Sequence, residues 1–140
     1  PDCHGALAAS GEEVACEGCG RRYPVVAGLP DLRVDAPAWI DFGRDRDRAL
    51  LVDDLIGREG LEAGILDVFR RSRRFEEPKA QFRLRQVLAG IGKCEAQLDG
   101  WLAPLLAEPV FELGVGPGQL VAAAARRGIA VHGIDVSLEW

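Results

Sequence analysis

The sequence has no methionine, only two histidines and no long apolar run. A membrane-spanning helix needs roughly 18 consecutive apolar residues, and no stretch approaches that length. The first ten residues also lack the basic and apolar regions of a secretory signal, so we expect a cytoplasmic protein with reduced thiols and no membrane association. The acidic excess, 22 Asp and Glu against 17 Lys and Arg in 140 residues, disfavours a surface built throughout to attract nucleic acid. A hydrophobic content of 48% excludes general disorder.

Changes in composition along the chain predict four segments. Residues 1–32 hold three of the four cysteines and many glycines and prolines, and so short a segment needs a metal or a neighbour for stability. Residues 33–44 are predicted to form a linker. Residues 45–106 carry apolar residues at helical spacing and predict a helical connector, while residues 107–140 predict the beginning of an α/β domain.

Three apolar stripes indicate amphipathic helices in the connector. They consist of Leu61, Ile65 and Val68/Phe69; of Leu84, Val87/Leu88 and Ile91; and of Leu98, Trp101, Leu102 and Leu105. Proline breaks a helix from within, so we expect Pro78 to end the first helix and Pro109 to follow the third.

A β-α-β unit is predicted after the connector, with a strand over Val110–Leu113, a glycine loop over Gly114–Gly118, a helix over Gln119–Arg127 and a second strand over Ile129–Ile134. Glycines at such a strand-to-helix turn let a ligand approach backbone N–H groups. Dinucleotide-binding folds have their third glycine one position later, where this sequence has Gln119, so a nicotinamide or flavin dinucleotide is disfavoured. A turn without ligand, in which the glycines serve only close packing, is the other interpretation.

The loop reads E-x-G-x-G-x-G from Glu112, through Gly114 and Gly116, to Gly118, and Asp135 follows the second strand. These residues resemble motif I and the next acidic strand end of class I S-adenosylmethionine-dependent methyltransferases. In that family the loop passes beneath the methionyl part of the cofactor. The resemblance implies that Glu112 faces the cofactor's amino group, usually through water, and that Asp135 binds both ribose hydroxyls.

The cysteines Cys16 and Cys19 form a C-x-x-C knuckle, whose two thiolates can coordinate one metal ion, and Cys3 lies upstream. This region resembles the zinc ribbon of small activator subunits of tRNA and translation-factor methyltransferases, in which a Y-P-[VI]-x-x-G-[IL]-P-x-L stretch follows the cysteines; residues 23–32 match it. The resemblance implies a structural zinc held by Cys3, Cys16 and Cys19. The site is incomplete, because the first cysteine of the family's pattern is missing and His4, next to Cys3, is poorly placed as a fourth ligand. Cys94 stands alone and is interpreted as a small buried hydrophobe.

Together the two resemblances imply an α/β protein: a small zinc-ribbon domain, a helical connector and the start of a Rossmann-like methyltransferase sheet. The implied activity is methyl transfer from S-adenosylmethionine to an acceptor that could be a small molecule, RNA or protein. A zinc-ribbon adaptor without turnover is the competing interpretation. The missing initiator, the cysteine pair cut short before Pro1 and the end soon after Asp135 lead us to expect an excerpt of a longer protein, inactive alone.

A basic stretch also lies between positions 70 and 85, where seven Lys and Arg residues accompany only Glu76 and Glu77. It could dock a nucleic-acid substrate, or it could be a solvated helix face, which is the commoner case. His132 is predicted to be a packing residue rather than a catalytic one. No Ser/His/Asp arrangement stands out.

Overall fold

The computed structural model describes residues 3–35, 37–72, 75–106 and 110–138. The fold is mixed α/β, as predicted, with an antiparallel sheet of four strands and a parallel sheet of two. The chain divides into two compact units: one runs to Asp54 and includes Ser137 and Leu138, and the other runs from Leu55 to Val136. No helix among the described residues has the length and apolar character needed to cross a membrane.

The first unit contains a meander of four short strands, β1 (Leu7–Ser10), β2 (Glu13–Cys16), β3 (Arg22–Val26) and β4 (Leu29–Pro30), paired in sequence order. Each strand pair is antiparallel, with Ala8 opposite Ala15 and Val14 opposite Tyr23. Val14 and Cys16, alternate residues of β2, are buried, and Tyr23 of β3, which lies opposite Val14, is buried on the same face. Val26 of β3 is also buried.

Helix α1 spans Phe42–Glu59, so regular structure begins inside the stretch predicted as a linker. Four charged residues connect the end of the sheet with the first turns of this helix. Asp31, after β4, accepts hydrogen bonds from Arg33 Nε at 2.7 Å and Arg46 Nε at 2.6 Å. Arg33 also pairs with Asp45, which in turn accepts hydrogen bonds from the Ser137 hydroxyl and the Leu138 N–H.

The second unit is built on helices α2 (Leu61–Arg71) and α3 (Glu77–Asp99). The first two predicted stripes are confirmed, because Phe69, Val87 and Ile91 are core residues. The role given to Pro78 is wrong: it lies in the first turn of α3, where a proline's missing N–H breaks no intrahelical hydrogen bond.

The third predicted helix is also wrong. Helix α3 continues to Asp99 and ends at Gly100, and only a short 3₁₀ turn, Ala103–Leu105, follows. Of the third stripe, Leu98 is buried at the end of α3, whereas Trp101 and Leu105 are 68% and 61% exposed. The apolar spacing suited a helix, but the glycine ends the backbone pattern first.

A parallel β-α-β unit completes the second unit, with β5 (Val110–Leu113), α4 (Gln119–Ala125) and β6 (Val131–Ile134). Strand β5 is confirmed to the residue. The helix ends two residues earlier than predicted and β6 starts two residues later, since Gly128 takes a positive φ of 67° after the helix. Helix α4 packs on α3 and buries Ala123 and Ala124 completely. The carboxyl ends of both strands therefore lie at one edge, beside the start of α4.

Candidate functional site

The glycine loop joins the carboxyl end of β5 to the start of α4. Its three glycines have positive φ angles, 75° at Gly114, 52° at Gly116 and 68° at Gly118. A Cβ atom placed on any of them would meet no atom within 4 Å. Close packing therefore does not explain these glycines. Their backbone conformation does, since residues with a Cβ rarely adopt it.

Asp135 lies directly after β6 and is attached to this loop. The Gly116 N–H donates a 2.8 Å hydrogen bond to Asp135 Oδ2, and the Gly114 N–H donates a 2.7 Å bond to the Ile134 carbonyl. Two loop amides thus hold the end of β6. The structure brings together the glycines and the acid that the sequence singled out.

Glu112 lies in β5 one residue before the end of the strand, opposite Gly133 of β6. Its Oε2 atom is buried and has no hydrogen-bond partner among the described residues. Burial raises the pKa of the Glu112 carboxyl above its ordinary value, and the negative charge of Asp135 raises it further. A buried carboxylate oxygen without a donor lowers stability, so this group is suited to a ligand that brings a donor or a positive charge.

Two other residues near the sheet fit modest structural roles. His132 is exposed and stacks on Phe111, with ring centroids 5.1 Å apart. Cys94 of α3 is half-buried, and both burial and the charge of Glu112 raise the pKa of its thiol. The thiol is therefore protonated at neutral pH, and a nucleophilic role is disfavoured.

The three cysteines of the first unit form a cluster. The Sγ atoms of Cys3, Cys16 and Cys19 all lie within 4.8 Å of one another, and those of Cys3 and Cys16 are 3.3 Å apart. Cys16, at the end of β2, is buried, whereas the other two are exposed. Such a cluster could bind a metal ion. No other group of this kind occurs in the part of the chain that the structure describes, and His4 does not join it.

The pKa values of two thiols in the cluster shift in opposite directions. The Gly5 backbone lowers the pKa of Cys3, but the side chains of Cys16 and Cys19 outweigh it and raise that pKa. The Cys19 backbone N–H, followed by the Cys3 side chain, lowers the pKa of the Cys16 thiol to about 7. A fraction of thiolate is thus available at neutral pH, and the thiolate is the form that binds metals.

Glycines allow the two cysteine-bearing turns to approach. A Cβ atom on Gly5 would lie 2.7 Å from the Gly18 nitrogen and 2.8 Å from Cys16 Sγ. Only a residue without a side chain fits between them.

Two of the five basic residues that the structure describes in this stretch are paired with acids. Arg70 forms two hydrogen bonds to Glu77, at 2.8 and 2.7 Å, and Arg71 pairs with Asp67. Lys79 and Arg83 lie 5.2 and 5.9 Å from the centre of the Phe75 ring. Arg73 and Arg74, which belong to the same stretch, lie outside the described residues. This pairing favours the interpretation as a solvated helix face.

Two structural features, an ion-pair network and a strand glycine, had no signal in the sequence. The Asp31–Arg33–Asp45–Arg46 network joins residues up to 15 positions apart without any periodicity. Gly133 is a single glycine within a strand and belongs to no motif. Comparison with protein-family models, curated proteins and solved structures finds no match to this chain.

Proposed function

We propose that this chain binds S-adenosylmethionine and carries the cofactor-binding part of a methyltransferase. The observation that supports this most is the meeting of the glycine loop with two carboxylates at the carboxyl ends of β5 and β6, where the Gly116 N–H binds Asp135. Ligands of parallel α/β sheets bind outside the carboxyl ends of the strands. A Rossmann-like sheet that continues from these two strands is part of the proposal.

The side chains fit the chemistry of this cofactor. Its ribose offers two hydroxyl donors, and the Asp135 carboxylate can accept both in addition to the Gly116 N–H, because a carboxylate has about four acceptor positions. Its ammonium group would supply the positive charge that the buried Oε2 of Glu112 lacks. The loop glycines present no side chain at the surface they face, which leaves room for close contact with the methionyl part.

When bound, S-adenosylmethionine supplies a methyl group on a sulfonium, which an acceptor nucleophile displaces in line. The residues identified here bind and orient rather than react: Asp135 fixes the ribose, and Glu112 fixes the amino-acid part. Catalysis by positioning and electrostatics requires no metal in the chemistry, so a zinc at the cysteines would be structural.

Isothermal titration calorimetry with S-adenosylmethionine tests this function. We expect saturable binding, and we expect Asp135→Ala to weaken it by about 1.5–3 kcal/mol, roughly tenfold to a hundredfold, because charge-assisted hydrogen bonds are lost. Asp135→Asn keeps one acceptor oxygen and should lie between. Glu62→Ala, which removes an exposed acid from α2, is the matched control and should bind as wild type. Absence of heat with wild type, or equal affinity in Asp135→Ala, contradicts the proposal.

The cysteine cluster supports a second proposal, a structural zinc site in the first unit. The short Cys3–Cys16 contact and the low pKa of the Cys16 thiol favour a thiophilic ion. An adaptor without turnover would need only this site. A chain that holds zinc but gives no heat with S-adenosylmethionine would favour that second function.

A further inference from the structure

Gly133, in the middle of β6, is a glycine for a different reason from the loop glycines. Its φ is not positive, so its backbone could accommodate other residues. The space above it is filled instead: a Cβ atom there would lie 2.5 Å from Cγ2 of Val115. Other neighbours would be at ordinary contact distances, with Val115 Cβ at 3.7 Å and Val121 Cγ2 at 3.5 Å. A single methyl group of Val115 therefore occupies the place of the missing side chain.

Val115 belongs to the glycine loop, and this contact is the third link between that loop and β6. Gly114 bonds the Ile134 carbonyl through its N–H, and Gly116 bonds the Asp135 carboxylate. Three consecutive loop residues thus attach to three consecutive residues of β6 and its end, Gly133, Ile134 and Asp135. Of the three links, only the one at Gly133 depends on a side chain of the loop.

A loop with three glycines needs such an anchor. Glycine backbones have the widest choice of conformations, so two hydrogen bonds alone leave the loop free to sample others. Valine is stiff about χ1, so fixing its methyl group also fixes the backbone that carries it. A loop held in advance binds its ligand without a further ordering cost.

We infer that Gly133 is a positioning residue for the cofactor loop. The space left by its missing side chain, which we call the seat, holds a methyl group of Val115 and so sets the position of the Gly116 N–H relative to Asp135. The link between the seat and cofactor affinity rests on the proposed function. The link between the seat and the loop geometry does not, and it can be measured without any ligand.

A double-mutant cycle in the full chain tests the inference. Gly133→Ala introduces the clash, and Val115→Ala empties the seat. The double variant Val115→Ala/Gly133→Ala removes the clashing methyl group and leaves the two Cβ atoms at about the 3.7 Å that separates Val115 Cβ from the added atom. Gly92→Ala is the control, because it makes the same chemical change in α3, where a Cβ meets no atom within 4 Å.

The first measurement is the amide chemical shift and hydrogen exchange of Gly114 and Gly116 by NMR. We expect each single variant to shift these amides and to speed their exchange at least tenfold. The double variant should return most of the way to wild type, and Gly92→Ala should change nothing at the loop. The second measurement, affinity for S-adenosylmethionine, should fall at least tenfold in both single variants and recover to within about threefold in the double variant.

The outcomes separate the two ideas. If wild type binds no S-adenosylmethionine, the proposed function fails, while the amide measurements still decide the role of Gly133. Loop amides unchanged in Gly133→Ala, or single effects that simply add in the double variant, would overturn the inference. If Gly133→Ala does not fold, Val115→Ala and the double variant decide: the double variant must then fold and hold the Gly116 amide better than Val115→Ala does.

Discussion

Protonation or removal of the Asp31 carboxylate should destabilise the first unit by an amount that the structure lets us estimate. Asp31 is 1% exposed, and its two oxygens accept hydrogen bonds from Arg33 and Arg46. Burial alone would raise the pKa of this carboxyl, but the hydrogen bonds from Arg33 and Arg46 outweigh burial and lower the pKa to about 2. The ordinary value is 3.8. At about 1.36 kcal/mol per pKa unit, the difference is worth about 2 kcal/mol of folding free energy.

The direction of the pH dependence follows from this lowered pKa. Because the folded protein holds the proton less tightly than the unfolded chain, the stabilisation is complete above the ordinary pKa of 3.8. It is lost as the pH falls through the folded-state value of about 2. The contribution of this group to the free energy of unfolding of the first unit, about 2 kcal/mol, should therefore be lost between about pH 5 and pH 1.

The variant Asp31→Asn tests the estimate at neutral pH. It should cost about 3–5 kcal/mol, since removing one partner of a buried ion pair also leaves positive charge without its counterpart. Its acid dependence should be correspondingly flatter than that of wild type. Asp53→Asn, which changes an exposed acid of α1, is the control and should cost less than about 0.5 kcal/mol.

Urea titrations followed through the NMR signals of β2 and β3 amides give the stability of the first unit directly. Equal acid slopes in wild type and Asp31→Asn would refute the reasoning. So would a cost at pH 7 no larger than that of Asp53→Asn, because the network would then contribute nothing beyond a surface pair.

Two further predictions concern the candidate sites. The substitution Glu112→Gln should raise the melting temperature of the unliganded chain at pH 7 yet weaken S-adenosylmethionine binding about tenfold. Because the pKa of Glu112 is raised, the wild type loses stability as the pH rises through it, so the gain should vanish below the ordinary pKa of 4.5; a gain that persists there would contradict this explanation. In the cysteine cluster, Gly5→Ala should weaken zinc binding at least tenfold in chelator competition, because its Cβ would clash with Gly18 and Cys16. The control Gly57→Ala, at an open position, should bind zinc as wild type does. Equal zinc affinity in both variants would show that the two turns need not approach so closely.

Local patterns in the sequence were reliable where local chemistry controls the structure. Strand β5 and the glycine loop were placed correctly, because the apolar run and the positive-φ glycines determine that turn within a few residues. The prediction of a third helix was wrong. Trp101 and Leu105 have helical spacing, but α3 ends at Gly100, before these residues. The role of Pro78 failed for a related reason: spacing does not say whether a proline ends one helix or begins the next.

Contacts between distant residues were beyond sequence reasoning. The carboxylate of Asp31 pairs with Arg46, 15 residues away in α1, and isolated acids and arginines are common on any surface. The same holds for Gly133. A sequence motif can identify glycines that are needed for their backbone conformation. A glycine that is needed because a neighbouring methyl group fills the side-chain space can be identified only from the structure.

The energetics of the loop region bear on its function. A buried carboxylate oxygen of Glu112 without a donor lowers stability, and three glycines in the loop raise the entropy that folding must remove. Gln at position 112 would remove the buried negative charge at little change in shape. Sequences depart from local consistency mainly at functional sites, where a ligand repays the cost. Both features coincide at the carboxyl ends of β5 and β6, and this supports our proposal that a ligand with a positive charge, such as S-adenosylmethionine, binds at this edge.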